Sequence, residues 1–162
     1  MKAIKVIIET PKGSTEKYRY DKDDHFFEMA KVLPAGMVFP YDFGFIPDTK
    51  GEDGDPLDVI VISEFKSFPG CLMHCRIIGA FIAEQSEKKN KKKMVRNDRY
   101  LAIPESSGIF SGIRSIDDLP AQIVKELETF FGNYNELEKK KFKPLGILNP
   151  DKALDLIRKS WQ

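Results

Sequence analysis

Val59, Ile60, Val61 and Ile62 follow one another with no polar residue between them. A short β-branched run without alternation is the pattern of a strand covered on both faces, so residues 58–63 must sit in a wall with an apolar layer on each side. Other strands are predicted at residues 4–9, 72–78, 80–84 and 100–103, and residues 17–20 and 26–29 flank the acidic turn 21–24 as a hairpin. Short strands broken by Gly, Pro and Asp, with no helix of crossover length between them, predict a closed or nearly closed barrel rather than a doubly wound sheet.

The period changes in the second half. Ile123, Val124, Leu127, Phe130, Phe131 and Tyr134 share one face of a helix. Asp118 before Leu119 and Pro120 supplies a cap region and an early helical proline, and Asn149 with Pro150 opens a shorter helix toward Ile157. The expectation is a mainly β fold, a small barrel with helices packed outside it, as one domain over residues 1–162. A chain of 162 residues is long enough to bury its own core.

Twenty-six Lys and Arg offset twenty-five Asp and Glu, so no global field favours nucleic acid or an anionic membrane. No apolar run reaches the ~18 residues of a membrane span, and residues 1–9 are too short for a signal peptide; a cytoplasmic location is expected. Cys71 and Cys75 lie four apart in an extended segment, roughly 13 Å between Cα atoms, too far for a disulfide and awkward for a shared zinc. His74 between them faces the other way and is read as packing rather than a metal ligand. Two basic runs, Lys88–Arg96 and Lys139–Lys141 with Lys143, are read as solvated charge.

The sharpest chemical feature is Asp53, Gly54, Asp55, Pro56, Leu57 and Asp58, which leads straight into the buried strand. Three carboxylates at a strand entrance repel one another, and a hard divalent cation with oxygen ligands would neutralise them. A solubilising Gly- and Pro-containing turn is the other reading, and the hexapeptide alone supports both. An EF-hand is excluded: with Asp53 first, Asp55 and Glu64 fall at the third and twelfth positions, but Leu57 occupies the fifth and Asp58 the place of the glycine. Phosphate-loop, dinucleotide-binding, Gly-x-Ser-x-Gly and zinc-type spacings do not occur.

Residues 39–47, Phe-Pro-Tyr-Asp-Phe-Gly-Phe-Ile-Pro, followed by 52–59, Glu-Asp-Gly-Asp-Pro-Leu-Asp-Val, resemble the soluble Mg²⁺-dependent inorganic pyrophosphatases of the barrel type. The resemblance extends from Val6 to Glu138. It implies a five-stranded OB-type barrel with flanking helices, acting on pyrophosphate to give two phosphates, with Mg²⁺ or Mn²⁺ as cofactor and a homo-oligomeric state. It further implies that Asp53 and Asp58 are ligands of two metals sharing the attacking water, with Asp55 accepting that water's proton. Glu9 would help hold metals that arrive with substrate, and Lys17, Lys31, Arg99 and Tyr134 would contact phosphate. Such chemistry is mostly positioning and charge neutralisation and needs no nucleophilic side chain.

Several positions depart from that family's pattern. Phe39 and Phe43 replace tyrosines, Lys31 an arginine, Arg19 a glutamate, Arg99 a lysine and Asn135 a lysine. Asn97 falls on a metal-binding aspartate with Asp98 beside it, and Glu84 and Gln85 give no clean match to another acidic ligand. Either Glu84, Asp98 and the lysine-rich loop rebuild the site, or the fold has moved to another phosphate compound or lost turnover. Retention of all three aspartates favours the first. The competing class is an OB-like module binding nucleic acid through Phe-rich segments and the basic loop, which the acidic triplet and near-zero net charge disfavour.

Overall fold

The computed structural model describes residues 3–87 and 89–162. Among these residues nine strands are present: β1 Ile4–Thr10, β2 Glu16–Asp21, β3 Phe26–Val32, β4 Asp42–Ile46, β5 Leu57–Val61, β6 Leu72–Ser86, β7 Met94–Arg96, β8 Arg99–Pro104 and β9 Phe142–Leu148. Two helices, α1 Ala121–Leu137 and α2 Pro150–Ser160, follow a single 3₁₀ turn at Ile116–Asp118. Five strands pair in the order β1, β4, β5, β8, β6, and β6 pairs back to β1. The ring is therefore closed, as the strand pattern and the resemblance both imply. Only β5 and β8 run parallel; the other ring pairs are antiparallel. The hairpin of β2 and β3 stands apart as its own two-stranded sheet.

The barrel wall separates two apolar layers, which is what the unalternated run of β5 demands. Val6, Ile8, Leu57, Val59, Val61, Tyr100 and Ala102 belong to the inner cluster, and α2 adds Ala153, Leu154 and Ile157 to it. Ile60, Ile62, Leu101 and Ile103 belong to the outer cluster with Leu127, Phe130 and Phe131 of α1. The helical face predicted from residues 123–134 is the face that packs. Asn149 caps α2 as predicted, its Oδ1 accepting from the Lys152 amide at 3.0 Å.

Four features differ from the sequence expectations. Residues 72–78 and 80–84 form one fifteen-residue strand, because the bulge at Ile77–Gly79 bends β6 without ending it. The bulge also shifts parity, so Cys75 and Ile77 before it and Ala80 and Ile82 after it all face the inner cluster. Asp118 does not cap α1: its Oδ2 accepts from the Arg114 and Ser115 amides, both at 2.9 Å, and Pro120 takes the cap position outside the helix. Strands β4, β7 and β9 are not among those expected from the sequence. His74 is exposed rather than packed, while Cys71 and Cys75 are free thiols.

Candidate active site

Asp53 and Asp55 lie in the loop joining β4 to β5, and that loop is braced from behind. Thr49 Oγ1 donates to the Ile46 carbonyl at 2.6 Å and accepts from the Leu57 amide at 3.0 Å. The end of α2 stitches on through Lys50 N to Ser160 O at 2.9 Å and Gln162 N to Asp48 O at 3.0 Å. Between the two aspartates Gly54 turns the chain at φ 89°, a conformation that favours glycine. Asp53 Oδ1 accepts from the Asp55 amide at 3.2 Å, so the two side chains are not independent.

Asp58 stands in β5 opposite Phe45 of β4 and Arg99 of β8. It is two residues before Ile60, so alternation puts it on the outer face of the barrel wall. Glu9 lies within the irregularity of β1 between Ile8 and Thr10, and its Oε1 accepts from the Tyr20 amide at 2.8 Å. That bond ties the β2–β3 hairpin to the barrel. The hairpin supplies Lys17 and Lys31, and α1 supplies Tyr134, whose ring has the two ammonium groups at 5.4 and 5.3 Å from its centroid.

The carboxyls are uncomfortable as charges. Burial pushes Glu9 up to about 7, and the charges of Asp58 and Asp55 add to the rise against the opposing Tyr20 amide and Lys17. Asp53 remains an exposed residue overall, yet partial enclosure of its carboxyl, helped by Asp58 and Asp55, raises it to about 6. Asp58 is raised too, by loss of water first, while Arg99, Lys17 and Lys140 work the other way. Tyr134 is raised mainly by burial, and its buried hydroxyl has no hydrogen-bond partner.

All eight residues proposed from the sequence thus fall into one electrostatic neighbourhood on the outer wall. The phosphate-contact candidates differ in how free they are. Lys31 is ion-paired to Glu138. Arg99 is buried, with Nη1 donating to the Asn97 carbonyl at 2.9 Å and Nη2 to Gln85 Oε1 at 3.3 Å. Asn97 and Asp98 line the same cavity as Asp53, with Asp98 Oδ1 paired to Arg96 Nε at 2.7 Å and accepting from the Ala83 amide at 3.3 Å. In the basic loop Lys93 pairs with Glu87 at 2.9 Å, and Lys88 lies outside the described residues. Lys140 corrects the reading of the second basic run, since it is half-buried and its charge acts on Asp58.

The other departures have local explanations. Phe39 and Phe43 lie in an aromatic cluster with Phe130, Phe131 and Tyr134, at ring separations of 4.9 to 6.0 Å, where a hydroxyl would need its own partner. Arg19 pairs with Glu28 across the hairpin. Asn135 is buried and donates from Nδ2 to the Phe131 carbonyl at 2.9 Å. Gln85, weighed from the sequence against an acidic ligand position, instead accepts from Arg99; Glu138 was given no role, because it acts through Lys31, 107 residues away.

The donor set suits a hard cation. Among the described residues no group of three or more His, Cys, Asp and Glu is gathered tightly enough to enclose an ion. Magnesium does not require that, because it commonly takes one or two carboxylates and fills its remaining positions with water and phosphate. Oxygen donors that stay water-poor and under-neutralised, beside a buried tyrosine hydroxyl without a partner, fit such a group.

A family profile described as inorganic pyrophosphatase matches residues 6–162. The inorganic pyrophosphatase of Synechocystis sp. is 38% identical over 95% of this chain and 87% of its own length. That of Methanosarcina acetivorans is 34% identical over 96% and 88%. The crystal structure of inorganic pyrophosphatase from Thermus thermophilus superposes with a TM-score of 0.87 at 31% identity, covering 96% of this chain and 87% of that one. With the profile spanning nearly every residue and the closed barrel shared, this chain belongs to the inorganic pyrophosphatase family.

Proposed function

We propose that this chain, working as one domain over residues 1–162, hydrolyses inorganic pyrophosphate to two phosphates with divalent cations bound. The observation that carries the reading is the gathering of Glu9, Asp53, Asp55 and Asp58 with Lys17, Lys31, Arg99 and Tyr134 on one patch of the outer wall. Asp53 and Asp58 are the proposed metal ligands, with Glu9 assisting, and Mg²⁺ or Mn²⁺ the proposed ions. When bound, such ions neutralise the carboxylates and lower the pKa of water.

The chain's own residues do the remaining work. Asp55 accepts the proton of the attacking water from its place beside Asp53, on a loop held rigid by Thr49 and α2. Lys17 and Lys31 bind phosphate oxygens as point charges. The Tyr134 hydroxyl, buried without a partner, can donate to a phosphate oxygen, and Arg99 adds fixed positive charge at the floor. A densely anionic substrate is held by these cations, while the carboxylates exclude it unless divalent ions intervene.

The test is colorimetric phosphate release from pyrophosphate with Mg²⁺ present or chelated. Asp55→Asn is expected to lower turnover by about 10²-fold or more while circular dichroism and the melting temperature stay native-like. Near-normal turnover of that variant would remove Asp55 from the role.

Partners and setting follow the same reading. Among the described residues no helix is long and apolar enough to cross a membrane. We propose a homo-oligomer, supported by exposed Phe26, Phe68 and Ile109 and checked by light scattering. We also propose a cytoplasmic setting, checked by fractionation; Cys71 and Cys75 are free thiols.

A further inference from the structure

Glu138 puts a carboxylate among the cations assigned to phosphate. It stands at the C-terminal cap of α1, and the last turn of that helix carries no basic residue, although the helix dipole disfavours negative charge at this end. The offset comes from other elements. Lys31 of the β2–β3 hairpin is ion-paired to Glu138, with the two side chains 31% and 22% exposed, and the charges of Lys140 and Lys17 also act on it. Burial pushes its carboxyl up, but these three cations more than reverse the rise and hold it below its ordinary range. Glu138 is therefore ionised at neutral pH. Its chain neighbours Glu136 and Lys139 are both exposed and opposite in sign.

The same groups surround Tyr134. Lys17 and Lys31 lie 5.4 and 5.3 Å from its ring centroid, and its buried hydroxyl has no partner. The Glu138 amide donates to the Tyr134 carbonyl at 3.1 Å, so the two side chains are neighbours on the helix surface, and the Glu138 charge reaches the Tyr134 hydroxyl. Asp58 reaches it as well, but as a proposed metal ligand Asp58 is neutralised when cations are bound. Glu138 keeps its charge and has Lys31 as its partner. In charge it stands where a phosphate oxygen would stand.

We propose that Glu138 is a resident competitor for Lys31, which lowers the affinity of the site for inorganic phosphate and lets the product leave. An anion arriving beside Tyr134 must share Lys31 with Glu138 or displace it, and it binds less tightly than the lysines alone would hold it. Release of product limits turnover in many enzymes, and a site built from lysines to grip pyrophosphate also grips the phosphates made from it. The inference rests on the phosphate-contact reading of Lys17, Lys31 and Tyr134 given above. Glu138 is a positioning residue, acting on phosphate through Lys31.

The test is binding of inorganic phosphate to the full chain in MgCl₂, followed by calorimetry, with phosphate inhibition of pyrophosphate hydrolysis as a second readout. Glu138→Gln keeps the shape and removes the charge. It is expected to bind phosphate about 10-fold more tightly, a modest part of what one unit charge exerts within a few ångströms near a protein surface. Its KM for pyrophosphate should fall in step while kcat does not rise. Glu138→Asp, which keeps the charge, is expected to stay close to wild type. A glutamate that merely held Lys31 in place predicts the opposite sign, with weaker phosphate binding by Glu138→Gln. Weaker or unchanged binding by that variant overturns the proposal and leaves the hydrolase reading standing. Melting curves check folding, and if Glu138→Gln does not fold, Glu138→Ala is measured in the same way and decides. Wild type that neither binds phosphate nor hydrolyses pyrophosphate overturns the functional reading itself.

Discussion

Gly44 is the position where a single methyl group would do most damage to the site. A Cβ built there lies 2.2 Å from the Ile7 carbonyl oxygen, 2.9 Å from its carbon and 3.1 Å from Ile8 Cα. All three are backbone atoms of β1, so no side-chain rotation relieves them. Ordinary contact begins at 3.4 Å, so the shortest separation must grow by 3.4 minus 2.2, about 1.2 Å. A shift of that size takes ladder hydrogen bonds of β1 and β4 beyond their useful range of about 3.2 Å. Losing two of them at ~1 kcal/mol each, with ~1–3 kcal/mol for overpacking, puts Gly44→Ala at about 3–5 kcal/mol, a large share of the ~5–15 kcal/mol of a typical domain. Gly132→Ala is the control: nothing lies within 4 Å of its added Cβ and it sits inside α1, so it should stabilise by about 0.5–1 kcal/mol. Urea unfolding followed by circular dichroism measures both by linear extrapolation. Since Glu9 rides on β1 next to the displaced residues, Gly44→Ala should also lose turnover under conditions where it is still folded. A loss of stability below about 1 kcal/mol would show that the close approach of β1 and β4 yields easily and would refute this account of the glycine.

Glu64 predicts acid behaviour: chiefly the Ser107 hydroxyl at 2.7 Å, then its own backbone amide and those of Gly108 and Ile109, hold its carboxyl down at about 2 against an ordinary 4.5. A lowered carboxyl stabilises the fold above pH 4.5 and loses that contribution as pH falls through 2, so melting temperatures of Glu64→Gln from pH 7 to 2 should fall less steeply than wild type on the acid side; parallel curves would refute it. Lys93→Ala removes an exposed partner of Glu87, and such pairs are worth ~0–1 kcal/mol, so melting temperature and phosphate release should both stay near wild type; a marked fall in turnover would assign the basic loop to the site.

The parts of this structure that were legible in the sequence are those decided by neighbours in the chain. The unalternated run of β5, the phase of α1 and the cap of α2 each depend on residues within a few turns or strand positions of one another. The acidic hexapeptide is equally local, and the loop indeed delivers its carboxylates to the barrel wall. What escaped depends on distant partners or broken patterns. Strand β9 contains Pro144 and Gly146 and is mostly exposed, so neither alternation nor propensity marks it; it exists because β6 offers an edge from Ala80 to Gln85. The unity of β6 was hidden by Gly79, which reads as a break in sequence and acts as a bulge in space. The commitments of Lys31 to Glu138, Arg99 to Gln85 and Asp98 to Arg96 follow from packing.

The location of Asp58 shows why an ill-favoured charge stays where it is. To escape into water the aspartate would have to turn to the other side of its strand or slip by one residue. Because side chains alternate with a period of two, either motion exchanges the whole set: Val59 and Val61 would leave the inner cluster, and Ile60 the outer one. Those side chains are fully buried, and exposing each costs about 1.5–3 kcal/mol, or roughly 4.5–9 kcal/mol for three of them. The burial of an ion already offset by Arg99, Lys17 and Lys140 costs several kcal/mol at most. The apolar neighbours therefore win, and the same residues that close the barrel hold the carboxylate in place. A binding protein for cations needs that arrangement: an acid that could retreat to solvent would have no reason to recruit an ion, and one held by flexible chain could not aim it.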